Sequence, residues 1–101
     1  MPSEDMRGGA AVVRVHLPPV LAAVTGGKRD WEAQGGTVRA VLEDLAAAVP
    51  ALGLHFFDEA RVLRAHIVCI HGDMVVRAHQ AAAHEVRPGD EIILTNALAG
   101  G

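Results

Sequence analysis

The chain has 101 residues, half of them hydrophobic and 21% charged, with a formal net charge of −3 at neutral pH. That length supports one domain around one core, and acids interspersed with bases give no electrostatic case for nucleic acid. A single cysteine, Cys69, excludes an internal disulfide and suits a reducing cytoplasm, and no apolar run approaches the ~20 residues of a membrane span.

Residues 1–10, opening on the polar MPSEDMRGG, read as a flexible leader without an apolar signal segment. AVVRVHL (11–17) alternates, with Ala11, Val13, Val15 and Leu17 on one face, and predicts a half-buried strand. Pro18-Pro19 stops it, because proline has no N–H for a ladder. Gly26-Gly27 supplies a turn, and KRDWEA (28–33) reads as a second strand with Trp31 its one large apolar side chain. The two form an antiparallel hairpin with a wide connection. Val38, Val41, Leu42, Leu45, Ala46 and Val49 then recur with the i, i+3, i+4, i+7 rhythm of an amphipathic helix. Thr37 is its N-cap and Pro50 its end. ALGLHFFDEARVLRA (51–65) reads as irregular, with Leu52, Leu54, Phe56 and Phe57 available to plug the end of the core. HIVCIHG (66–72) predicts an interior strand, apolar on both faces, that breaks at Gly72-Asp73 and returns as a short strand in MVVRA (74–78). RPGDE (87–91) is a type II turn, since Pro88 presets φ and Gly89 accepts a positive one. EIILT (91–95) is the last strand and leads into NALAGG. The order is that of an α+β layer pair: a sheet of four to five strands on one main helix.

The single helix after the first hairpin, the PGDEIIL turn-and-strand and the closing ALAGG resemble the MoaD/ThiS family of ubiquitin-like sulfur carriers. HLPPVLAAVTGG (16–27) is further similar to the CysO-type branch. The resemblance covers roughly residues 11–101 and implies a β-grasp domain with a mixed sheet over 11–95 and an extended tail over 96–101. It also implies a reactive end at Gly101. An E1-like adenylating enzyme of the MoeB/ThiF type would use ATP and Mg to adenylate that carboxylate. A sulfur donor protein would convert it to a thiocarboxylate, and a biosynthetic enzyme would take the sulfur, with cysteine or secondary-metabolite supply favoured. The chain would then be a co-substrate, not an enzyme. Two alternatives stay open: a ubiquitin-like modifier forming isopeptide bonds through Gly101, and the small subunit of molybdopterin synthase.

Elementary chemistry asks for the same kind of tail. A free α-carboxylate, with a pKa of about 3.5, is ionised at neutral pH and is a poor acyl donor until activated. TGGKR (25–29) is no phosphate loop: Ala22 stands where the first glycine belongs and Arg29 replaces Ser/Thr. The chain therefore binds no nucleotide or other cofactor of its own. Gly100 and Gly101, lacking Cβ, let backbone enter a narrow site, and six residues from 96 onward reach at most ~20 Å. Leu98, with Ala99 beside it, is the apolar anchor of that tail. Ile93 and Thr95, together with Ile67 and Cys69, are assigned to a docking face on the side of the sheet away from the helix. Cys69 itself reads as an inert small hydrophobe. Alternation puts His66 across the sheet from Cys69 and His71, too few ligands on one face for a metal. His79 and His84 read as solvated.

Overall fold

The computed structural model describes residues 12–96, with the side chain of Asn96 excluded. Five strands, β1 (Val12–His16), β2 (Asp30–Gln34), β3 (Ile67–His71), β4 (Met74–Arg77) and β5 (Glu91–Asn96), form one sheet in the order β2-β1-β5-β3-β4. The pair of β1 with the central strand β5 is parallel and every other pair is antiparallel. Three helices, α1 (Pro19–Ala22), α2 (Val38–Ala48) and α3 (Pro50–Phe56), lie in the connections. Alternation decides which strand residues face the helices. Val13, Val15, Leu17, Ala33, Ile67, Cys69, Ile92 and Leu94 are all buried in one core with the apolar stripe of α2.

Helix α2 forms where its periodicity places it, and its first turn is fully capped. Thr37, extended at φ −136°, accepts from the Ala40 N–H at 3.1 Å through its hydroxyl. The Val38 N–H donates to the His84 carbonyl at 2.9 Å and the Arg39 N–H to the Ala81 carbonyl at 3.1 Å. The segment before β5 thus supplies acceptors that a free helix start would take from water. Gly35, at the end of β2, is buried against this turn. A Cβ there would meet the Val41 nitrogen at 2.6 Å and the Ala40 carbonyl carbon at 2.7 Å, so only glycine lets strand and helix approach this closely.

Several expectations need correction. Residues 51–65 are not irregular throughout, because Pro50 opens a helix instead of only closing one. Its fixed φ and missing N–H suit the first helical position. Leu52 and Phe56, four apart on α3, are both fully buried, whereas Leu54 on the far side is 74% exposed and plugs nothing. The β1–β2 connection carries α1, with Pro19 in its first turn, followed by a 3-10 turn over Ala23–Thr25. β2 lies at Asp30–Gln34 instead of 28–33, and β5 runs one residue past Thr95. Ile67 and Cys69, assigned above to the outer face, are 2% and 1% exposed and point into the core. Both faces of β3 are apolar, so alternation yields two sets of residues without saying which set the helix covers.

Candidate functional site

The strand that leads to the chain end sits between β1 and β3, so its root is held from both sides. Leu98, Ala99, Gly100 and Gly101 lie outside the described residues. Of the proposed docking residues, Ile93 is 45% exposed on the outer face and Thr95 is partly exposed. The Thr95 hydroxyl donates to the Val68 carbonyl of β3 at 3.2 Å. Register places His16, Ile93, Ile70 and Val75 side by side across four strands, and Thr95, Val68 and Arg77 across three. The outcome is an apolar band on the sheet face opposite the helices, with Val75 at 54% exposure.

Ile70 and Val75 were not singled out from sequence, although alternation in HIVCI and MVVR contains the signal once Ile67 and Cys69 are known to point inward. A groove of about 490 Å³ adjoins the band, floored by Leu17, Pro18 and Leu94 and flanked by Val20, Arg29 and Ile93. Val20 is 57% exposed, so apolar surface continues from the sheet onto the proline-bearing loop. The β1–β2 side of the same face is charged. His16 lies 2.7 Å from Asp30 through Nδ1 and 3.2 Å from Glu91 through Nε2, and Arg14 is 3.7 Å from Glu91. Exposed pairs of this kind contribute little to stability, but they give one border of the band a polar rim.

Two titratable groups are shifted by their surroundings. Burial pushes the Cys69 thiol up to about 12, so it stays protonated and unreactive in the folded chain. The Asp90 carboxyl is held below its ordinary range, first by the Arg87 backbone N–H and then by the hydrogen bond from His71. His84 is not simply solvated: its Nε2 lies 2.8 Å from His71 Nδ1. Among the described residues, no group of three or more His, Cys, Asp or Glu is placed to hold a metal ion, and no helix is long and apolar enough to cross a membrane.

With this geometry in view, the sequence profile of the ThiS family matches residues 15–101, from the middle of β1 to the last glycine. The chain belongs to the ThiS family. A ThiS-family relative, the sulfur carrier protein CysO of Mycobacterium tuberculosis, is 32% identical over 91 residues, which cover 88% of this chain and 98% of CysO. Among solved structures, SAMP1 from Haloferax volcanii superposes with a TM-score of 0.75 at 26% identity, over 90% of this chain and all of that one. A chain of the BexX/CysO complex from Amycolatopsis orientalis superposes with a TM-score of 0.69 at 27% identity, over 88% and 99%. The ubiquitin-like β-grasp implied by the sequence resemblance is the fold observed, and it is shared with CysO-type and SAMP1-type chains.

Proposed function

We propose that this chain is a sulfur carrier whose working atom is the carboxyl carbon of Gly101. The observation that carries the reading is the family match, which runs through Gly100 and Gly101 and includes a carrier of 32% identity whose whole length this chain nearly spans. In this reading, a partner enzyme with ATP and Mg joins the Gly101 carboxylate to AMP and releases pyrophosphate. Hydrosulfide attacks the acyl carbon and AMP leaves, which gives the thiocarboxylate directly. A persulfide donor gives an acyl disulfide, whose S–S bond a second thiol reduces to release the thiocarboxylate and form a disulfide with the donor. That anion is a soft nucleophile akin to a cysteine thiolate. It passes its sulfur to an acceptor enzyme, in cysteine or secondary-metabolite supply. The chain serves as co-substrate and works in the cytoplasm.

The outer band of Ile93, Ile70 and Val75, with Thr95 at its tail end, is the docking face for the activating enzyme. Reach supports this assignment. Gly101 is the fifth residue after Asn96, at most about 17 Å away when fully extended. An enzyme that holds Gly101 in its active site must therefore cover the surface around the root of β5. Ordering the tail is costly in entropy, so affinity comes from that surface, with Leu98 and Ala99 lining the entrance.

The test is pyrophosphate exchange with the native activating enzyme. Exchange should depend on this chain and disappear when Gly100 and Gly101 are deleted; exchange that survives the deletion would remove Gly101 from the chemistry. The likeness to Haloferax volcanii small archaeal modifier protein 1 favours a second reading, in which activated Gly101 forms isopeptide bonds with lysines of other proteins. Lysine conjugates in place of a thiocarboxylate would select it.

A further inference from the structure

At the end of the sheet away from Asn96, three ionisable side chains from separate segments meet. His71, the last residue of β3, lies between Asp90 and His84. Its Nε2 is 2.7 Å from Asp90 Oδ2, and its Nδ1 is 2.8 Å from His84 Nε2. The rings of His71 and His84 are edge to face, with centroids 5.0 Å apart. The same Asp90 oxygen accepts the Arg87 backbone N–H at 2.9 Å. We propose that this Asp90–His71–His84 chain is a two-step proton clamp: it holds the His84 end of the 81–90 segment against β3 through the first added proton and releases that end on the second.

Counting donors leads to that result. Ionised Asp90 only accepts, so His71 Nε2 must carry a hydrogen. With both rings neutral, His71 Nδ1 is then an acceptor and His84 Nε2–H donates to it. One added proton turns His71 into an imidazolium that donates to Asp90 and to His84 Nε2, while His84 carries its hydrogen on Nδ1. Both hydrogen bonds survive. A second proton leaves N–H facing N–H across 2.8 Å, with no acceptor between them. The other charged groups around the pair are Glu85 and Arg87 from the segment itself and Glu91 from the start of β5, while β4 contributes only the uncharged Met74. Arg39 of α2 is turned away, paired with Glu43 at 3.0 Å. Glu91 is paired with Arg14 and His16, and no surrounding charge restores an acceptor between two N–H groups.

The clamp matters because the segment it holds also caps a helix. The His84 and Ala81 carbonyls accept from Val38 and Arg39 at the start of α2, and the Val86 N–H donates to the Gly36 carbonyl at 3.0 Å. Those three amides report the release, while the root of the tail at Asn96, paired with Ile67, lies at the other end of β3 and stays formed.

The experiment is amide exchange, corrected for intrinsic rate, together with histidine ring nitrogen shifts from about pH 8 to about pH 5 on the full chain. After the first proton, the shifts should show His71 protonated on both nitrogens, His84 neutral, and the exchange of Val38, Arg39 and Val86 unchanged relative to Val15 in the core. After the second, exchange at those three amides should rise about tenfold, the loss expected from one ordinary hydrogen bond. In His84→Gln the side-chain amide can donate to or accept from His71, so the rise should vanish. A rise that persists in H84Q overturns the proposal, as does double protonation with no rise. The ring shifts decide even if H84Q does not fold: a first proton on His84, or two independent titrations, also overturns it.

Discussion

Gly35 shows how much one missing side chain decides. Its Cβ position is occupied by backbone of the first turn of α2, which moves less readily than a flexible side chain. Gly35→Ala should therefore lower stability by about 1–3 kcal/mol, read from denaturant midpoints at unchanged slope. Cys69 makes a different point. A thiol raised to about 12 inside the core should resist alkylation in the native chain and react only as the chain unfolds. Cys69→Ala should then leave sulfur loading intact, which would separate this buried sulfur from the loading proposed at Gly101. For Asp90 the sign of the pH effect follows from its lowered carboxyl. A group more acidic folded than unfolded stabilises fully above the unfolded value, about 3.9, and loses that contribution as pH falls through the folded value. As pH falls through the folded value of the Asp90 carboxyl, the stability gap between wild type and Asp90→Asn should close; a gap that widened there would have the wrong sign.

Among the elements, α2 and β1 were legible because each satisfies two signals at once. In α2 a 3.6-residue rhythm coincides with a threonine cap, and in β1 strict alternation ends at two prolines. Helix α3 was hidden because seven residues give only one repeat of the pattern, Leu52 with Phe56, and because Pro50 read as a breaker. In the structure Gly53 brings α3 close to α2, where a Cβ would stand 3.1 Å from the Ala46 Cβ. Phe56→Ala should therefore destabilise by about 3–5 kcal/mol, and Leu54→Ala hardly at all, although the two are close neighbours in sequence. β3 shows the limit of alternation. The pattern separates Ile67 and Cys69 from Val68 and Ile70, but only the position of the helix layer says which pair faces out. The His71–His84 contact joins residues 13 apart across β4 and a 3-10 turn, and no local periodicity encodes it.

At the scale of the whole molecule, the described fold sets an exposed apolar band beside the strand that runs toward Gly101. β5 is braced on both sides, its outer residues join an apolar band, and four residues separate Asn96 from Gly101. Ile93→Asp, on the exposed side of β5, should leave the core and the fold intact while raising the KM for this chain in the activation reaction by about tenfold or more, the scale of a central interface residue. Deleting Gly101 should abolish activation without changing thermal stability. The family membership and the β-grasp frame were readable from the tail, the PGD turn and the element order, because each reflects a local backbone demand. The docking band was not fully readable, because it is assembled from four strands whose register appears only on folding. The most direct test is the intact mass of the chain after incubation with its native activating enzyme, ATP, Mg and a sulfur donor. The expected result is a gain equal to sulfur replacing one oxygen, localised by fragmentation to Gly101. An unchanged mass under conditions that support adenylation, or sulfur found at Cys69 instead, would contradict it.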